Sequence, residues 1–164
     1  MAQYSLTAST LDVSQEAILV DTSVLVGACL PGDQFAETAK CFLDSAECQL
    51  IVPVEVVVEA WGLIVGRGKR FDRGVDLLTW LSYPGNADLI AGSTSHFPRW
   101  NDLTRNKQID VVDAVLLCLA DEMSKACRLR PPAKIATFDT RDFLRFVAGR
   151  LRFRLYDLRS DDIY

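Results

Sequence analysis

A chain of 164 residues, 49% hydrophobic and 24% charged, has the size and balance of one ordinary globular domain, long enough to bury a core without disulfide or metal staples. No apolar run approaches the roughly 20 residues of a membrane span. The net charge of −4 argues against indiscriminate nucleic-acid binding, yet residues 1–60 hold one base, Lys40, against nine acids, while residues 61–164 hold 17 bases against 13 acids, a division that permits a basic surface beside an acidic pocket.

The N-terminal stretch MAQYSLTASTLDVSQE lacks the basic and apolar regions of a secretory signal and reads as a flexible leader over 1–16, ahead of one domain at 17–164. Ala17–Val20 is a short apolar run of the kind buried on both faces of a sheet. Asp21-Thr22-Ser23 is suited to cap a helix over Val24–Leu30, stopped by Pro31-Gly32. Gln34–Glu47 carries apolar residues at helical spacing, and Leu50–Val52 reads as a second buried strand. Pro53 is placed to open a helix reaching about Val65, with a break at Gly66–Arg70 and a further helix over Phe71–Leu81.

Ser82–Asp102 has little pattern, with a strand expected at Leu89–Ala91 and a short helix at Phe97–Arg105. Ile109–Cys127 has the periodicity of a long buried helix. It is followed by a strand at Lys134–Phe138, a helix at Arg141–Val147 and a strand at Phe153–Leu158. This alternation predicts a three-layer α/β/α sandwich with a mainly parallel central sheet, whose ligand crevice lies beyond the carboxyl ends of the strands.

Four acids stand where apolar runs end or turn: Asp21 in AILVDTS, Glu59 in VEVVVEAWG, Asp113 in IDVVDAVLLCLA and Asp139 in KIATFDTRDF. A half-buried carboxylate must be paired, hydrogen-bonded or bound to a cation. Each has a plainer reading alone, Asp21 as an N-cap and Asp110 with Asp113 as acids favoured by a helix start. Glu55 lies one turn before Glu59, and spacing leaves open which of them points inward. Together, carboxylates converging on one crevice repel one another unless a cation joins them. Oxygen ligands without His or Cys select Mg²⁺ or Mn²⁺ over zinc, and such cations on carboxylates commonly serve phosphodiester cleavage.

The order VDTS, helical VVVEA, DAVLLCLA, ATFDTRDF resembles the PIN-domain ribonucleases, and among them the VapC toxins of bacterial toxin–antitoxin pairs, over about residues 17–158. The resemblance implies a PIN-like fold and a cytoplasmic Mg²⁺- or Mn²⁺-dependent endoribonuclease that cleaves RNA. It implies catalytic residues at Asp21, Glu59, Asp113 and Asp139, with metal on Asp21, Asp113 and Asp139. Glu59 would take a second metal or orient a metal-bound water. Ser23 would brace the site by hydrogen bonding, and Asp110 and Asp142 stand near enough to assist. It also implies a cognate antitoxin that inserts an Arg among the acids, and a homodimer formed through exposed apolar helices within 33–47 and 53–81.

Two rivals share the chain's features: a housekeeping RNA-processing nuclease of the same fold, and a non-catalytic PIN-fold interaction domain. An Asp-nucleophile phosphatase would want a second Asp where Ser23 stands. Lone His96 is expected in a loop or cap. Trp61, Trp80 and Trp100 are expected in core or interface, with Trp100, if it lies in a loop, also able to stack on a base. The cysteines Cys29, Cys41, Cys48, Cys118 and Cys127 are odd in number, lack a CxxC pair and read as small core residues. Two basic groups, Arg67, Lys69, Arg70, Arg73 and then Arg141, Arg145, Arg150, Arg152, Arg154, are candidates for phosphate contact.

Overall fold

Four consecutive apolar residues, Ala17–Val20, form the first strand, β1, and all four are buried because the strand is covered on both faces. The structure, a computed structural model, describes residues 16–92, 94–126 and 132–164. The leader therefore lies outside the described residues except for Glu16, whose carboxylate pairs with Lys134 Nζ at 2.7 Å. Cys127 also lies outside them.

Around β1 run β2 (Gln49–Pro53), β3 (Asp88–Ile90), β4 (Lys134–Thr137), β5 (Arg154–Asp157) and β6 (Asp162–Ile163), in the sheet order β3-β2-β1-β4-β5-β6. All neighbours are parallel except β6, which pairs antiparallel with β5. The helices are α1 (Thr22–Cys29), α2 (Ala36–Ser45), α3 (Val54–Trp61), α4 (Phe71–Ser82), α5 (Phe97–Lys107), α6 (Val111–Ala126) and α7 (Arg141–Val147). Helices α1 to α4 pack on one another, and α5 to α7 form a second group. The chain crosses the sheet one way from β1 to β3 and the other way from β3 to β5, so right-handed crossovers put the two groups on opposite faces. This is the expected α/β/α sandwich. Its core joins Leu19, Ile51 and Ile135 of the sheet to Leu25, Leu116 and Phe143 of the helices, all fully buried. No helix among the described residues is long and apolar enough to cross a membrane.

Several local expectations are corrected. Pro53 closes β2 and caps α3 instead of opening it. The expected break at Gly66 does not occur there, because the chain continues beyond α3 as a π-helix over Gly62–Arg67. Its wider turn appears in the five-residue reach of the Gly68 N–H to Leu63 O at 2.8 Å. Trp100 lies on α5, within the helix expected over Phe97–Arg105, and is buried as a core residue, so the alternative of a loop position able to stack on a base falls away. Cys41 is exposed, unlike buried Cys118, and Cys29 and Cys48 are half-buried. Strand β6 has only two residues, too few for an alternation to be read in sequence.

Gly74 shows how tightly α4 sits on the π-helical segment. A Cβ there would lie 2.6 Å from Val65 Cγ2 and 2.9 Å from Trp61 Cζ3. Gly74→Ala is therefore expected to cost about 1–3 kcal/mol by overpacking, although Ala is the better helix former. A urea midpoint below wild type checks this, and a raised midpoint would refute the close approach.

On the other face, Asp121 of α6 is fully buried. Its Oδ2 accepts from Arg99 Nη2 at 2.5 Å and Lys125 Nζ at 2.7 Å, and its Oδ1 from the Arg152 N–H at 2.7 Å. Burial pushes its pKa up, but these three donors outweigh it and hold the carboxyl below its ordinary range. Arg152 thereby joins α6 to the lead-in of β5 through its backbone.

Candidate active site

The strand order reverses between β1 and β4, and the crevice of an open parallel sheet lies outside the carboxyl ends at that point. Asp21 follows β1 directly, and its N–H donates to Ala136 O of β4 at 3.0 Å. Its Oδ2 accepts from Ser23 Oγ at 2.6 Å and Thr137 Oγ1 at 2.7 Å. Ser23 Oγ accepts the Phe138 N–H at 3.0 Å, and Thr137 Oγ1 accepts the Asp139 N–H at 2.9 Å. Two hydroxyls thus hold the first acid and tie its turn to the one carrying Asp139.

Helix α3 supplies Glu59, whose Oε2 accepts from Thr22 Oγ1 at 2.5 Å. Helix α6 supplies Asp113 in its first turn, half-buried. One cleft is lined by Asp21, Thr22, Ser23, Glu59, Asp110, Asp113 and Asp139, together with Asp33, Phe35, Arg141 and Arg159.

Electrostatics mark the cleft as over-supplied with negative charge. Burial, and then the charges of Asp21, Asp110, Asp142 and Glu59, push Asp113 up to about 8. Burial also raises Asp21, against the opposing hydrogen bonds from Ser23 and Thr137. Glu59 is raised by burial and by Asp110 and Asp21, with Thr22 and Arg67 pulling the other way. Among the described residues no three acidic, His or Cys side chains are gathered closely enough, as they stand, to hold one metal ion. The donor chemistry nevertheless fits a hard divalent cation, since every candidate ligand is oxygen and the raised acids would be relieved by positive charge.

The choice between Glu55 and Glu59 is made by the fold. Glu59 faces the cleft, whereas Glu55 Oε1 accepts the Gly92 N–H at 3.1 Å, joining α3 to the chain after β3. Asp110 lines the cleft and also caps α6, with its Oδ1 accepting the Val112 N–H at 2.9 Å. Asp142 is not among the lining residues and lies 3.7 Å from Arg145, though its charge reaches Asp113. His96 precedes α5, with Nε2 at 2.9 Å from Glu122 Oε2.

In the first basic group, Arg70 pairs with Asp72 at 2.8 Å and Arg73 with Asp76 at 3.1 Å. From the second only Arg141 lines the cleft, and Arg159, outside both groups, joins it. Thr22, placed by sequence only in a helix cap, and Thr137 and Phe35 also belong to the site or its bracing. The threonines carried a usable signal, since a hydroxyl beside a strand-end acid is a natural partner for it. Arg159 carried none, being one of several arginines in the last segment.

The class defined by this sheet and by the position of its cleft is the PIN-like α/β/α fold. Within it, the chain is similar to solved toxin structures. The sarcin-ricin-loop-cleaving toxin VapC20 of Mycobacterium tuberculosis matches with a TM-score of 0.63 at 20% identity, over 82% of this chain and 98% of that one. VapBC2 of Rickettsia felis, solved on a promoter DNA fragment, matches with a TM-score of 0.57 at 16% identity, over 86% and 99%. A toxin–antitoxin complex of Klebsiella pneumoniae matches with a TM-score of 0.53 at 22% identity, over 83% and 94%. No protein-family model and no curated sequence matches the chain. At these identities the likeness is one of fold.

Proposed function

We propose that this chain is a Mg²⁺- or Mn²⁺-dependent endoribonuclease and the toxin of a type II toxin–antitoxin pair. The observation that carries the reading is the convergence of Asp21, Glu59, Asp113 and Asp139, from four separate elements, on the crevice where the strand order reverses. Asp21, Asp113 and Asp139 are the residues to hold the metal. A divalent cation bound there supplies an activated water and charge stabilisation for the leaving oxygen.

The remaining work falls to the chain itself. Ser23 and Thr137 fix Asp21, and Thr22 fixes Glu59 through Oε2, so that Oε1 is the atom to take a proton from an attacking water. Such bracing of functional carboxylates by surrounding hydrogen bonds is a usual device for orienting them.

Similarity to a sarcin-ricin-loop-cleaving toxin and to toxin–antitoxin complexes supports RNA as substrate and an antitoxin as partner. An acidic cleft is a fitting receptor for a partner's Arg. A homodimer is supported by Val54 and Val58 of α3 with Phe71, Val75 and Leu78 of α4, large apolar side chains all exposed.

The test is cleavage of RNA by the purified chain in Mn²⁺, read for wild type and two glutamate variants. Glu59→Gln should lower kcat by about a hundredfold, the scale of a lost proton acceptor. Glu55→Gln should leave kcat unchanged, since its carboxylate is engaged at Gly92. Equal losses in the two variants would overturn the role given to Glu59. No cleavage by wild type would overturn the nuclease reading.

A further inference from the structure

We infer that Arg159 is a phosphate-binding residue of the cleft, donating from Nη1 to a non-bridging oxygen of an RNA backbone phosphate beside the acids. This rests on the nuclease reading above and adds to it the wall of the cleft on which the polyanion lies.

Arg159 is held in place by Asp157 and Thr140. Its Nε donates to Asp157 Oδ1 at 2.9 Å, and its Nη2 donates to Asp157 Oδ2 at 2.7 Å and to Thr140 Oγ1 at 2.6 Å. The Arg159 N–H also donates to Asp157 Oδ1 at 3.0 Å. Asp157 and Thr140 are both buried. Asp157 ends β5, in register with Thr137 of β4, and Thr140 caps α7. The guanidinium is thus anchored at the carboxyl end of β5, with its plane set before any ligand arrives.

An arginine has five N–H donors in a rigid fork. Nε and both Nη2 donors are committed, and among the described residues Nη1 has no protein acceptor. Two donors therefore remain on a side chain that lines the cleft and is 44% exposed. Both are on one nitrogen and diverge, so they donate singly and not as a fork, and a charge-assisted bond to a non-bridging oxygen of a phosphodiester suits a donor held in place in this way.

The surroundings sharpen this assignment. The cleft's acids would repel a nucleic acid unless fixed donors offset them. Arg141, the other arginine on the lining, stands 3.9 Å from Asp139 and is 85% exposed, so it would have to be ordered on binding at an entropic cost. Arg159 is already ordered. The lining therefore has acids suited to a cation and, on the α7–β5 side, a fixed guanidinium suited to the substrate's phosphate.

The experiment measures binding of a fluorescent single-stranded RNA to the full chain in Ca²⁺, used in place of Mn²⁺ to read binding apart from turnover, with cleavage in Mn²⁺ measured in parallel. Arg159→Ala should bind roughly tenfold more weakly, and the slope of log affinity against log salt should fall by about 0.7, the share of one phosphate contact on a single strand. KM should rise by a similar factor with kcat nearly unchanged. Arg159→Lys should recover only part of the affinity, because an ammonium restores charge but not the donor position that the Asp157 and Thr140 bonds fix.

Arg159→Ala leaves Asp157 buried without its partner, so the pair Asp157→Asn with Arg159→Gln, which strands no charge, is measured alongside. Wild-type affinity and salt slope in both the Ala and the paired variant, with cleavage intact, would overturn the inference and leave the nuclease reading standing. A lowered kcat with unchanged KM would also overturn it. A wild-type chain that neither binds nor cuts RNA would overturn both.

Discussion

Asp113→Asn is expected to abolish RNA cleavage, by on the order of a thousandfold, while making the folded chain more stable. The two effects share one cause. Asp113 starts α6 half-buried among acids, and burial with the charges of Asp21, Asp110, Asp142 and Glu59 pushes it up to about 8, from an ordinary 3.8. An acid so raised binds more protons in the folded than in the unfolded chain across that window, so stability falls as pH rises from about 4 to about 8. Solvent reaches part of the group, and after discounting for this the cost at neutral pH is on the order of 2 kcal/mol. Asn keeps the shape, removes the charge and lifts that cost, but it removes a metal ligand. Urea denaturation at pH 5 and pH 8 in the absence of divalent cations would show wild type losing more stability between them than Asp113→Asn. A variant that stays active, or that shows the wild-type pH dependence of stability, would remove Asp113 from the site.

Chelation is the second large effect. EDTA should stop cleavage completely, and Mn²⁺ or Mg²⁺ should restore it, because the raised acids require positive charge before a phosphodiester can approach. The cation should also stabilise the fold, since it binds the folded chain and finds no assembled site in the unfolded one. At a hundred times its dissociation constant the gain is about 2.7 kcal/mol, or roughly 5–10 °C in melting temperature for a domain of this size. Asp21→Asn should lose both the cleavage and most of the cation-dependent shift, which separates specific binding from a general salt effect. Cleavage that continues undiminished in EDTA would exclude the metal-dependent mechanism.

Much of the architecture was legible because its signals are local. β1 and α7 fall on the residues expected, one from an unbroken apolar run and the other from a short amphipathic segment after Asp139. The exceptions have physical causes. The π-helical extension of α3 packs against α4, with Gly74 admitting Val65 and Trp61, and that contact leaves no mark in the residues of α3 alone. Cys41 looked like a core residue by type, but it lies on the exposed side of α2. Trp100 was expected in core or interface and is buried, but its partner Gly92, where a Cβ would meet its Cη2 at 2.5 Å, lies in chain without clear periodicity.

By itself the sequence determined the alternation of strand and helix, the class of sandwich and the candidate acids, because burial on both faces demands continuous apolar runs and a carboxylate at the end of one is conspicuous. Only the tertiary structure decided which side chains share a cleft. Glu55 and Glu59 are one turn apart, and their roles separate only once α3 is laid with Thr22 on one side and Gly92 on the other. Asp21 and Thr137 are 116 residues apart and meet because β4 enters the sheet beside β1, where the order reverses. Arg159 becomes distinct from its neighbouring arginines only when the β4–β5 pairing sets Asp157 and Thr140 around it. Spacing along a chain specifies the face of an element, but the strand order specifies which faces meet.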